Sequence, residues 1–144
     1  MPAAPSRKAA LAAEAWRAIF DFIVATAPQR NRYLGELGLT PNDARALQSL
    51  SLNPGRTMGS LAEEWKCDAS TATWIVDRLE KRGLAERRPH PSDRRARLVV
   101  LTTKGQRLVA KNLERMYVPP PSLLDLDLGD LLALRDATAK LKKE

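Results

Sequence analysis

The segment RLEKRGLAERRPHPSDRRARLVVLTTKG, Arg78 to Gly105, narrows the possible folds more than any other stretch of the chain. The end of a helical pattern passes through Gly83 into two short apolar runs, separated by a loop rich in arginine and proline. Helix, glycine and paired strands in that order make a supersecondary unit with a long charged hairpin. Charge is concentrated on the same unit. Between Asp77 and Lys111 eleven Lys or Arg stand against four Asp or Glu, whereas the rest of the chain carries thirteen of each sign. The whole formal excess of +7 therefore falls on one unit, as expected of a surface that meets a polyanion.

Size and composition limit the alternatives. At 144 residues, 44% of them apolar, the chain suits one globular domain with one core. It has no run of 18 apolar residues, so no membrane-spanning helix is expected and no membrane partner. The opening MPAAPSRKAALAAEAW reads as a ragged tail entering a helix rather than a secretory leader, and a cytoplasmic location is expected. A single cysteine, Cys67, and a single histidine, His90, provide neither a disulfide framework nor a zinc cluster. His90 lies between Pro89 and Pro91 in the basic loop, where an imidazole is expected to be solvated and mobile, unsuited to activating a nucleophile. No glycine-rich phosphate loop is present and no carboxylate pair stands out. An enzyme, a cofactor and a metal are accordingly not expected.

Capping residues divide the chain into helices. Ser6 is suited to cap a first helix that runs to about Ala27 and ends at Pro28. Leu11, Ala15, Ile19, Phe22 and Ile23 form one apolar stripe, and Trp16, Phe20 and Val24 add a second. A helix apolar on so much of its circumference is expected to be covered on more than one side, which in a small protein points to a partner chain. Thr40-Pro41-Asn42-Asp43 has a capping hydroxyl, proline at the first position and an acid at the third, opening a helix to about Leu52. Asn53-Pro54-Gly55 then makes a turn. Thr57 caps a short helix, Met58 to Lys66, with Leu61, Ala62 and Trp65 inward, and Asp68 caps another, Ala69 to Arg82, closed by Gly83. These two make a helix-turn-helix. Leu84 to Arg88 and Ala96 to Leu101 read as the hairpin strands. Thr102 caps a helix to about Met116, Pro119-Pro120-Pro121 interrupts, and Asp127 caps a last helix bearing Leu131, Leu132, Leu134 and Leu141.

Within the helix 69–82, Ala72, Ile75, Val76 and Leu79 fall in one sector at about 100° per residue and are expected to face the core. Ser70, Trp74, Asp77 and Lys81 point the other way, flanked by Thr71, Thr73 and Arg78. Small hydroxyls permit close approach to a duplex, and their donors suit base edges or phosphates, so this face fits a major groove. An ordinary solvated helix face has the same look; the charged hairpin that follows is what favours nucleic acid.

The segment from Leu39 to about Leu108 resembles the winged helix-turn-helix of the multiple-antibiotic-resistance-regulator (MarR) family. The resemblance is carried by LTPNDARAL, by SLAEEWKCDASTATWIVDRLEKRGLAERR, and above all by PSDRRARLVVLTTKG, with its Asp-x-Arg before a strand ending in Leu-Thr-x-x-Gly. It implies a mainly α fold with a small β-hairpin wing. Residues 1–38 would form an N-terminal dimerisation helix and linker, 39–108 the winged helix-turn-helix domain, and 109–144 C-terminal dimerisation helices. It further implies a homodimeric transcriptional regulator, here expected to be a repressor, bound to double-stranded DNA. By the same resemblance Arg95 enters the minor groove, where a narrow cleft concentrates negative potential. Arg94 and Arg97 then meet phosphates, and Ser70, Thr71 and Thr73 occupy the positions used on DNA, with Arg78 beside them. Asp93 matches a wing acid whose implied role is to pair with a nearby arginine and fix the loop; a turn-forming aspartate after Pro91-Ser92 is the alternative.

Trp74 departs from the arginine common at its position in the family. An indole offers one donor and a large apolar surface, so it cannot read guanine in bidentate fashion; contact with a thymine methyl or sugar, or packing against the protein, remain its two readings. The resemblance also implies a small aromatic or phenolic effector between the dimerisation helices and the winged domain. Trp16, Phe20 and Tyr33 are available to line such a cleft and Arg17 or Arg30 to meet a carboxylate, although packing in the core or against a partner accounts for the aromatics more simply. Cys67, before the recognition helix, is expected to be buried packing, with oxidation open only if the helix N-terminus activates its thiol. A different class of function also fits the charge: an interaction module whose basic face grips an acidic protein.

Overall fold

A computed structural model describes residues 4–141. Helix α1 (Arg7–Glu36) is followed by α2 (Pro41–Leu52), strand β1 (Arg56–Thr57), α3 (Met58–Glu64), α4 (Ala69–Lys81), β2 (Ala85–Pro89), β3 (Arg97–Leu101), α5 (Thr103–Met116), the single turn α6 (Pro121–Leu124) and α7 (Leu128–Ala139). The fold is mainly helical with a small antiparallel sheet in the order β1-β3-β2. β3 is central: Val99 faces Arg56 on one side and Arg87 on the other.

The capping residues act as their chemistry dictates. Ser6, Thr40, Thr57, Asp68, Thr102 and Asp127 each accept from the backbone N–H three residues on, at 2.7–3.2 Å. At Thr40 the box is reciprocal, since the Asp43 carboxylate accepts from the Thr40 N–H at 3.0 Å. Gly83 closes α4 with φ +70°, and the Leu84 N–H then reaches back to the Leu79 carbonyl at 2.9 Å.

Two expectations from the sequence require correction. Pro28 does not end the first helix, which continues to Glu36. Proline takes one donor out of the ladder, at Val24 O, and in the turn before it side chains add donors: Thr26 Oγ1 to Phe22 O at 2.8 Å and Arg30 Nη2 to Ile23 O at 2.6 Å. The helix ends instead at Gly38, whose φ of +70° lets the Leu39 N–H reach the Leu34 carbonyl. The sheet also has a third strand, β1, where the sequence shows only a turn and a cap. Two residues are too short for a periodicity to register.

The core lies wholly in the winged unit. Leu47 and Leu50 of α2, Leu61 of α3, Val76 and Leu79 of α4, Leu84 and Val99 of the sheet and Val109 of α5 are buried together. Ala72, Val76 and Leu79 face inward as the spacing predicts, and Ile75 is partly buried against them. Burial of each such aliphatic side chain contributes roughly 1.5–3 kcal/mol. By contrast neither α1 nor α7 buries any residue within the chain. Trp16 is 62% exposed and Phe20 52%, and Leu124, Leu128, Leu132 and Leu141 are likewise open. Polar links join α1 to the winged unit: Arg115 of α5 pairs with Glu36 at 2.6 Å and lies over the Tyr33 ring, and Arg82 Nη1 donates to Gly38 O at 2.6 Å.

Candidate nucleic-acid interface

Helix α4 presents Ser70, Thr71, Thr73 and Trp74 to solvent on its first two turns. Asp68 holds that end open by taking the Thr71 N–H at 2.7 Å, and this bond holds its carboxyl below the ordinary value of 3.8. Trp74 is 59% exposed, so it does not pack into its own chain. Arg78 is placed differently from the other candidates. Its Nη2 donates to Asp43 Oδ2 at 2.8 Å, its guanidinium lies 5.2 Å from the Trp74 ring centre, and Asp43 is buried. Arg78 thus links α4 to the capping box of α2 and steadies Trp74. Removing it would leave Asp43 buried with its charge poorly compensated. Arg78→Ala is expected to cost about 2 kcal/mol of stability, measured by urea unfolding, where a surface arginine would cost within about 0.5 kcal/mol.

The wing is a hairpin with β2 and β3 as its legs. Its arginines divide into two groups. Arg87 pairs with Asp77 at 2.7 Å and with Glu80, both on α4, and Arg88 pairs with Glu86. Burial disfavours charge on Arg87, but the two carboxylates outweigh it and its pKa is raised. These contacts bind the root of the wing to the helix. Arg94, Arg95 and Arg97, by contrast, are exposed and form no ion pair among the described residues. Three guanidiniums therefore stand free at and beside the tip.

Two features of the tip differ from expectation. His90 is not loose: its Nδ1 accepts from the Ser92 and Asp93 N–H groups, each at 3.1 Å, and its own N–H reaches Ala96 O at 3.4 Å. An imidazole between two prolines becomes the internal acceptor of the turn. Asp93 pairs with no arginine side chain; its Oδ1 accepts the Arg95 N–H at 2.9 Å, the turn-forming alternative. The side chains of Asp93 and His90 together hold the loop that carries Arg94 and Arg95.

A cavity of about 650 Å³ lies between α1, α2, α3 and α5. Tyr33 and Arg30 line it as the effector reading expects, together with Arg45, Trp65, Leu113 and Tyr117. Trp65 Nε1 is buried there without a hydrogen-bond partner among the described residues. Trp16 and Phe20 do not reach it, and Arg17 lies instead in a shallow recess with Glu14 and Asp21. Cys67 is half-buried rather than enclosed, and it follows Lys66, whose φ is +51°.

Sequence reasoning missed the network that supports this unit from behind. Ser49 Oγ and Arg56 Nη1 both donate to Glu64 Oε2 at 2.6 Å. The Ser49 hydroxyl foremost, and then Arg56, hold the Glu64 carboxyl below its ordinary value of 4.5. A carboxylate depressed in the folded state stabilises above its unfolded pKa, and that contribution is lost as pH falls through the lower folded value. The thermal midpoint of Glu64→Gln is therefore expected to lie below that of the wild type at pH 7. The two should converge below pH 4.5, and a gap constant with pH would refute the assignment.

Two helices joined by a short turn, the second exposed and followed by an arginine-tipped hairpin, define a winged helix-turn-helix protein. Residues 37–96 match the model of the MarR family. The multiple antibiotic resistance protein MarR of Escherichia coli is 36% identical over 75 residues, 52% of each chain. A crystal structure of a mutant of that protein complexed with operator DNA aligns with a TM-score of 0.62 at 26% identity, covering 86% of this chain and 90% of that one. The YusO protein of Bacillus subtilis shares the fold, with a TM-score of 0.75 at 24% identity over 94% of this chain and 96% of that one. The chain spans about half the length of the curated relatives it matches. The family match thus lies on residues 37–96, the winged unit, and the likeness of fold to the solved MarR structure extends over 86% of this chain. No helix among the described residues is long and apolar enough to cross a membrane.

Proposed function

We propose that this protein is a sequence-specific double-stranded DNA-binding repressor that acts as a homodimer in the cytoplasm. The observation that carries the reading is the trio of exposed arginines, Arg94, Arg95 and Arg97, without ion-pair partners among the described residues, on a wing whose root is bound to α4 through Asp77 and Glu80. Helix α4 enters the major groove, with Ser70, Thr71 and Thr73 at the base edges, and the wing follows the backbone into the minor groove. Residues 39–108 are the DNA-binding domain; 1–38 and 109–144 hold two copies together. The uncovered apolar side chains of α1 and α7 support that pairing, since a monomer would leave them in water. Two half-sites then lie about one helical turn apart.

The cavity beside Tyr33 and Arg30 supports a small aromatic effector: apolar walls take the ring, and Arg30 or Arg45 takes an acidic group. Selection of bound fragments from genomic DNA tests the main reading. A set of related, two-fold-symmetric sequences bound at least about 1,000-fold more tightly than random duplex is the expected result. Equal binding to random and genomic duplex would overturn it in favour of a basic face that grips an acidic protein.

A further inference from the structure

We infer that Trp74 is a specificity-determining residue that reads the 5-methyl group of a thymine in the major groove. The inference rests on the placement of α4 in that groove. Exposed tryptophan is costly in water, yet Trp74 stands 59% exposed in the middle of a face otherwise made of hydroxyls and charges. It is also not loose. One side of the ring is occupied by the Arg78 guanidinium, 5.2 Å from the ring centre. Arg78 is anchored in turn by its 2.8 Å bond to Asp43, and Asp43 by the Thr40 N–H at 3.0 Å. The chain Thr40, Asp43, Arg78, Trp74 runs from the buried start of α2 to the surface of α4 and pre-sets the indole. An apolar surface already fixed in place loses little conformational freedom on binding.

The major-groove edges of guanine, adenine and cytosine offer donors and acceptors; the only apolar group displayed there is the thymine methyl. A broad apolar surface with a single N–H has nothing to gain from the first three and buries surface against the last. Phosphates are served by the arginines on either side, so the indole is not needed for affinity of a general kind.

The test uses the full-length dimer and a fragment obtained by genomic selection. Each thymine in a half-site is exchanged in turn for deoxyuridine, which lacks only the methyl, and binding is followed by fluorescence anisotropy at fixed salt. At one thymine per half-site the exchange is expected to weaken the wild type about fourfold, the equivalent of roughly 0.8 kcal/mol for one buried methyl-sized group. Trp74→Ala should be indifferent to that exchange and keep the wild-type salt slope, whereas Thr73→Ser should retain the sensitivity. Because Trp74 is exposed, Trp74→Ala is expected to fold; circular dichroism checks this, and Trp74→Phe gives a second variant that keeps part of the apolar surface and part of the effect. Wild-type binding unaffected by deoxyuridine at every position, or undiminished sensitivity in Trp74→Ala, would overturn the inference while leaving DNA recognition intact. Failure to select any preferred fragment would instead overturn the underlying reading, and this inference with it.

Discussion

Gly105→Ala is expected to destabilise the protein by about 3 kcal/mol and to lower its thermal midpoint by roughly 10 °C, a large effect for one added methyl. Gly105 is the third residue of α5 and is buried where the helix start meets the beginning of β2. A Cβ built there would lie 2.1 Å from the carbonyl oxygen of Leu84. That atom cannot step aside, because it already accepts the Thr102 N–H at 3.0 Å, while Thr102 Oγ1 donates to Gly83 O at 2.6 Å. The helix start, the glycine turn after α4 and the root of the wing are thus bound to one another through backbone. Alanine gains up to about 1 kcal/mol of helix propensity over glycine, which is too little to offset displacement of a buried strand. Gly59, in α3, has nothing within 4 Å of an added Cβ, so Gly59→Ala is the control and is expected to be neutral or stabilising. Calorimetry of the two variants side by side decides the matter: equal midpoints would mean that the close approach at Leu84 is not a constraint on this fold.

Gly105 also illustrates which parts of the molecule could be read from sequence. The Leu-Thr-x-x-Gly motif carries the resemblance, and the threonine cap is evident, since a cap is chemistry between a residue and the N–H three places later. All six helix starts expected from Ser, Thr or Asp are found for that reason. The need for glycine was not evident, because its neighbour Leu84 lies 21 residues away in sequence and meets it only through the hairpin. The same division runs through the interface. The exposed positions of Ser70, Thr71, Thr73 and Trp74 follow from helical periodicity alone. The partners of the arginines do not: a run of like residues in sequence separates into Arg87, held by Asp77 and Glu80, and Arg94, Arg95 and Arg97, which form no ion pair among the described residues. Arg78 reads from sequence as one more exposed cation, whereas its partner Asp43 lies 35 residues earlier. Pro28 shows the reverse error: it takes the donor from Val24 O, yet the helix runs on to Glu36 and closes only at Gly38.

For Arg95→Ala the expected result is a loss of operator affinity of at least tenfold, with about one unit less in the slope of log K against log salt for each wing engaged. The residue is exposed at the wing tip, and its backbone N–H is held by Asp93 Oδ1 at 2.9 Å, so the loop presents it in a fixed direction while its side chain is unpaired. A guanidinium in a narrow minor groove gains from concentrated negative potential without needing a particular base. Its loss should therefore weaken all operators nearly alike, unlike Trp74→Ala, whose cost depends on a particular thymine. Arg88→Ala provides the control for charge alone, since Arg88 is already paired with Glu86 at 2.5 Å and should change the slope less. Stability is not at issue, because removal of an exposed, unpaired side chain costs within about 0.5 kcal/mol. Titration at several salt concentrations separates the outcomes. An unchanged slope with unchanged affinity would mean that the wing does not meet DNA, and a loss equal to that of Arg88→Ala would reduce Arg95 to general charge.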